Sequence, residues 1–197
     1  MNIGIFGGTF NPVHKGHVSA LKKILSAVSL DRVLVLPDRI PPHKSAEGLV
    51  SGSDRLEMCR IAFSGIENIE ISDWELKNEG KSYSVITLRH FHEVFSEDKL
   101  YFIMGSDMLA SFESWYRYEE ILTLCSLICV SRSQEDTDRL EGYADKLRAK
   151  GGEVIIVPVE PFEISSSQIR DMLKKNLDCT CYLDENVVQY IMAKNLY

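Results

Sequence analysis

The stretch whose reading decides the fold is N-I-G-I-F-G-G-T-F-N-P-V-H-K-G-H, residues 2–17. Residues 2–6 form a short β-prone run closed by Gly7 and Gly8, and read as a buried first strand. A turn follows to about Lys15, after which Val18, Leu21, Leu25 and Val28 recur on one side of a helix. Paired glycines let a backbone approach an anion closely and expose its N–H groups. Thr9 adds a hydroxyl donor, and His14 and His17, three apart at the helix start, can face one ligand. The helix N-terminus adds partial positive charge at the same place. The string fits neither G-x-G-x-x-G nor G-x-x-x-x-G-K-[ST]. A plain strand–turn–helix with capping histidines is the competing reading, and the number of fixed positions counts against it.

Outward from this unit, strands alternate with helices. Residues 32–36 read as a second strand stopped by Pro37, and Pro41, Pro42 and residues 48–53 mark a long loop. Ser53 is expected to cap a helix over residues 54–63. Strands are expected at 69–71, 100–104, 126–130 and 154–157, and helices at 84–95, around Trp115 and at 136–150. Ser165 and Asp184 each precede a helical segment, so a small helical part begins at about residue 165. Continuously apolar strands between helices specify a parallel sheet covered on both faces, a single doubly wound α/β domain. Ligands of such a sheet lie beyond the carboxyl ends of the strands, where strand order reverses. The turns after Phe6, Leu36, Met104, Val130 and Val157 are therefore the ones that matter.

Composition narrows the function. The chain has 197 residues, 45% hydrophobic and 26% charged, with a net charge of −7. That balance opposes non-specific nucleic-acid binding, which needs a basic face. An anionic ligand would have to be held by a few local cations and helix N-termini against an unfavourable overall field. Five cysteines with no C-x-x-C pair read as reduced thiols, not a zinc site, and no protein-held metal is expected. No basic segment leads into an apolar stretch at the start, and the longest apolar run, about ten residues, is too short to span a bilayer. A cytoplasmic location without membrane or nucleic-acid partners is the expectation.

The string at residues 7–17 is the signature of the HxGH nucleotidyltransferases. P-x-x-x-P-P-H-K at 37–44, S-Y-S-V-I-T-L at 82–88 and G-S-D-M-L at 105–109 follow it, with Trp115 eight residues after Asp107. I-S-S-S-Q-I-R at 164–170 and V-x-x-Y-I near the end complete a pattern that resembles the bacterial nicotinate mononucleotide adenylyltransferases over essentially the whole chain. The resemblance implies a Rossmann-like sheet and transfer of AMP from ATP to nicotinate mononucleotide. It implies Mg²⁺ carried with ATP, small-molecule substrates, and a homodimer as the assembly to test for. It assigns catalysis to His14, His17, Lys44 and Arg170. ATP would be bound by Gly7, Gly8, Thr9, Phe10, His14, His17, Gly105, Asp107, Arg132, Ile164, Ser166, Ser167 and Arg170. The mononucleotide would meet Lys44, Tyr83, Ser84 and Trp115, with residues 82–84 presenting backbone N–H groups to its carboxylate and Trp115 stacking on its ring. This chain departs from the family pattern at Asn11, Ser84 and Ile86, where Asp, Thr and Asp are common.

Each of these positions also has a plainer reading. Ser165 with Gln168 matches a capping box, so 164–170 could simply start a helix. Lys44 could be a solvated loop lysine, Asp107 an N-cap, and Trp115 a core aromatic. The rival functions are a phosphopantetheine adenylyltransferase and a non-catalytic nucleotide-binding regulator on the same fold.

Overall fold

The computed structural model describes residues 1–40 and 48–197. Six strands form one all-parallel sheet in the order β3-β2-β1-β4-β5-β6. They are β1 (Asn2–Gly8), β2 (Arg32–Pro37), β3 (Ile69–Ile71), β4 (Lys99–Gly105), β5 (Ser126–Ser131) and β6 (Val154–Pro158). The order runs outward from β1 in one direction and then restarts at β4 in the other. The carboxyl ends of β1 and β4 therefore flank the reversal point, where an open sheet leaves a crevice. The turn carrying residues 7–17 leaves one side of that crevice and the turn at Gly105 the other.

The helices are α1 (Lys15–Ala27), α2 (Gly52–Ala62), α3 (Trp74–Lys77), α4 (Ser84–Val94), α5 (Ser106–Ala110), α6 (Tyr118–Leu124), α7 (Gln134–Ala149), α8 (Ser166–Lys174) and α9 (Glu185–Lys194). Side chains alternate across β2: Val33 and Val35 face one core, Leu34 and Leu36 the other. The first core packs α1, α2, α8 and α9 through Leu21, Ile24, Met58, Ile169 and Val187. The second packs α4, α6 and α7 through Leu88, Phe91, Ile121, Leu140 and Ala144. Cys125 and Cys129 lie in this second core, where burial pushes both thiols up to about 12, so they act as small apolar groups. All five cysteines are unpaired.

Three expectations are corrected. Strand β1 runs past Phe6, because Gly7 and Gly8 still pair with Leu36 and Pro37. Helix α2 starts earlier than expected: Ser51, not Ser53, is its cap, accepting from the Asp54 N–H at 3.0 Å. The spacing explains it, since Ser51 stands three residues before that N–H and Ser53 already lies inside the helix. Helix α3 was not expected, and its four residues are too few to show a period. Among the described residues no helix is long and apolar enough to cross a membrane.

Candidate active site

The turn after β1 is held by its own side chains. Phe10 is buried at φ 47°, a left-handed conformation that costs energy for a bulky residue and needs support from its surroundings. Its ring lies over Gly8, where an added Cβ would stand 2.8 Å from it. At Gly16 a Cβ would meet Phe162 at 2.8 Å and His14 Nδ1 at 2.9 Å. The glycine between the two histidines is thus the space into which His14 and Phe162 pack, their rings parallel within 9°.

The histidine rings sit 3.8 Å apart. His17 Nδ1 accepts from the His14 backbone N–H at 3.2 Å, so the neutral ring carries its proton on Nε2, a donor. His14 caps α1 in extended conformation. Its buried Nδ1 faces the His17 backbone N–H in a capping-box arrangement, without meeting hydrogen-bond geometry. Burial, aided by the positive charge of Arg132, lowers its pKa to about 4, so at neutral pH the ring is uncharged.

Helix α8 brings the far end of the chain to this turn. The Ser165–Gln168 capping box forms, with Ser165 Oγ accepting from the Gln168 N–H at 3.2 Å and Gln168 Oε1 from the Ser165 N–H at 2.9 Å. Capping does not account for the next residues. Ser166 Oγ donates to the Pro12 carbonyl at 2.9 Å, and Arg170 Nη1 to the Asn11 carbonyl at 2.8 Å. Arg170 Nη2 reaches Ser167 Oγ at 3.1 Å. The first turns of α1 and α8 hold no acidic residue, unlike those of α2, α6, α7 and α9. In a protein of charge −7, two adjacent helix N-termini without carboxylates make a local anion site.

On the other side of the crevice, Gly105 caps α5 and Asp107 is exposed in its first turn, not the cap. Trp115 is partly exposed and packs its buried edge on Phe102 and Phe112. Tyr83, the N-cap of α4, meets Tyr116 with ring centroids 5.3 Å apart, bringing the start of α4 beside the Trp115 segment. Helix α4 also has no acid in its first turn.

Three expected donors are otherwise engaged. The Thr9 hydroxyl donates to Asp38 Oδ2 at 2.9 Å. The Ser82 and Tyr83 N–H groups donate to the carbonyls of Ile40 (2.9 Å) and Lys81 (3.1 Å). Of residues 82–84, the N–H left without a partner in its own helix is that of Ser84, at the first position of α4. Lys44 and His43 lie outside the described residues. Sequence reasoning passed over Asp38, Arg55 and Phe162. Asp38 follows a strand end and had a positional signal, whereas an arginine inside α2 and an aromatic in a loop had none.

A family model described as cytidylyltransferase-like matches residues 5–172. Proteins carrying the name "Probable nicotinate-nucleotide adenylyltransferase" match over nearly their whole length. That of Shewanella woodyi is 34% identical, covering 100% of this chain and 99% of its own. That of Clostridium novyi is 33% identical, covering 98% of each, and that of Geobacillus thermodenitrificans 36% identical, covering 99% and 85%. Among solved structures, the Plasmodium falciparum nicotinic acid mononucleotide adenylyltransferase complexed with NaAD has the same fold, with a TM-score of 0.82 at 24% identity over 100% of this chain and 97% of that one. Matched end to end at this level, the chain belongs to the nicotinate-nucleotide adenylyltransferase family.

Proposed function

We propose that this chain transfers AMP from ATP to nicotinate mononucleotide, forming nicotinate adenine dinucleotide and pyrophosphate in NAD biosynthesis. The observation that carries this reading is the docking of Ser166 and Arg170 onto the Asn11–Pro12 turn beside His14 and His17. That docking makes one anion site from two ends of the chain.

An oxygen of the mononucleotide phosphate bonds to the α-phosphorus of ATP as the bond to the α–β bridging oxygen breaks, and the electron pair leaves with pyrophosphate. The nucleophile is already anionic at neutral pH, so no general base is needed. What is needed is in-line placement and stabilisation of charge on the leaving group. His17 supplies an Nε2–H, and neutral His14 enters as a second donor without the charge of an imidazolium. Arg170 and Arg132 supply positive charge, and Ser166, Ser167 and the N-terminus of α8 supply further donors. The donor set of N–H, O–H and guanidinium groups suits phosphate oxygens, not a cation. Mg²⁺ then belongs to the nucleotide, where it neutralises phosphate charge. On this reading Asp107 accepts from ribose hydroxyls, Trp115 stacks on the pyridine ring, and the Ser84 N–H meets its carboxylate.

Pyrophosphate release with MgATP and a panel of acceptors tests the reading. Nicotinate mononucleotide should give the highest kcat/KM, ahead of nicotinamide mononucleotide and phosphopantetheine. Turnover confined to phosphopantetheine, or no turnover with any acceptor, would reject it. The proposal includes a cytoplasmic setting, no nucleic-acid partner, and a homodimer that light scattering of the purified protein would detect.

A further inference from the structure

Arg55 is a charged side chain with 1% of its surface exposed, and no ligand can touch it. Its guanidinium spans three segments. Nη1 donates to the Thr9 carbonyl at 2.8 Å and faces Asp38 Oδ1 at 3.4 Å, Nη2 donates to the Arg39 carbonyl at 3.4 Å, and Nε to the Val50 carbonyl at 3.3 Å. Thr9 belongs to the triphosphate turn. Asp38 and Arg39 leave the end of β2, and the Asp38 N–H extends the ladder by donating to the Gly8 carbonyl at 2.9 Å.

From Arg39 the bonds continue to the acceptor side. The Arg39 N–H donates to Ser82 Oγ at 2.9 Å, and the Ser82 N–H returns a bond to the Ile40 carbonyl at 2.9 Å. Ser82 also bonds the buried carboxylate of Glu75, which accepts from Thr87 Oγ1 of α4 at 2.7 Å. Ser82 stands two residues before Ser84. An unbroken set of polar contacts therefore joins the backbone under the triphosphate to the start of α4.

We infer that Arg55 is a positioning residue that sets the spacing between the triphosphate cradle and the acceptor pocket. A buried ion pair is weak evidence for a stabilising role, because desolvation of both charges offsets their attraction. What the guanidinium provides is geometry: a rigid planar fork of donors that can hold three carbonyls at fixed separation. Lysine keeps the charge toward Asp38 but concentrates its donors at one point, so it cannot hold Thr9, Arg39 and Val50 together. Transfer between two bound substrates is sensitive to such spacing, since displacement of the reacting atoms by about 1 Å can cost about 100-fold in rate.

The inference rests on the reaction proposed above, and its test separates the two. Arg55→Lys tests the fork, and Ser82→Ala cuts the same path near the surface without emptying the core. Each variant should lose at least about tenfold in kcat at saturating ATP and nicotinate mononucleotide, with each KM within about threefold of wild type. Because the two act on one path, the double variant should be no slower than the worse single variant by more than about twofold. Unchanged kcat in folded variants, a loss carried by KM, or full multiplication of the two effects would overturn the inference. If the wild-type protein itself releases no pyrophosphate, the assigned reaction falls, and Arg55 is judged by amide hydrogen exchange at Ser82. That amide should exchange at least about tenfold faster in Arg55→Lys if the path transmits, and an unchanged rate would overturn the inference.

Discussion

The state of His14 makes a prediction that can be worked through in solution. In the folded protein burial and the Arg132 charge lower its pKa to about 4, against an ordinary histidine value of 6.5. As the pH falls through 6.5, the unfolded chain takes up a proton at His14 that the folded chain refuses. Stability is therefore lost on acidification, and the loss stops growing once the pH passes below about 4. The difference between the two states amounts to about 2 kcal/mol at pH 5 and about 3 kcal/mol once both are protonated. At pH 7 it is close to zero. Urea unfolding of the wild type and of His14→Gln at pH 7 and pH 5 isolates this group from the other titrating residues. The wild type should lose about 2 kcal/mol more than the variant over that interval. Equal losses, within about 0.5 kcal/mol, would refute the claim that His14 is buried and neutral. Nucleotide binding should act in the opposite direction, because a triphosphate beside the ring raises its pKa. Proton uptake on binding an ATP analogue near pH 5, read by calorimetry in buffers of different ionisation enthalpy, checks that sign.

Three further outcomes are expected. His17→Ala should lower kcat by at least about 100-fold through loss of an oriented donor to the developing charge; a near-wild-type kcat would remove His17 from the mechanism. Gly16→Ala places a methyl group 2.8 Å from Phe162 and 2.9 Å from His14 Nδ1, both ring atoms that can swing away. The variant should fold with a modest drop in Tm and a fall of at least about tenfold in kcat, since His14 is the ring displaced; unchanged kinetics would show that the His14 position is not critical. Trp115→Ala should raise KM for the mononucleotide by about three- to tenfold, the range of an aromatic stacking contact, and leave KM for ATP nearly unchanged. A parallel rise in both would mean that the ring supports the whole crevice.

Much of the architecture was legible because it is written in local patterns. Apolar strands alternating with amphipathic helices specify a covered parallel sheet whatever the details of packing. The Ser165–Gln168 box declares its local conformation through neighbours within a few residues. The Ser51 cap has a local reason too: Ser51 and Ser53 each precede helix-forming residues, and it is Ser51 that stands three residues before the Asp54 N–H it caps.

By itself, then, the sequence determined the fold class and named the strand ends, histidines, serines and arginine that are candidates for an anion site. Tertiary structure decided which of those groups are available. The hydroxyl of Thr9 is directed to Asp38, and the N–H groups of Ser82 and Tyr83 are held by Ile40 and Lys81. His14 is uncharged because of what surrounds it, and Arg55, which by residue type belongs on the surface, is buried between the turn at Thr9 and the end of β2. Residue type and spacing establish what a group is able to do. Its charge state and its open hydrogen-bonding positions depend on desolvation and on partners far off in the sequence, 159 residues apart for Arg170 and Asn11.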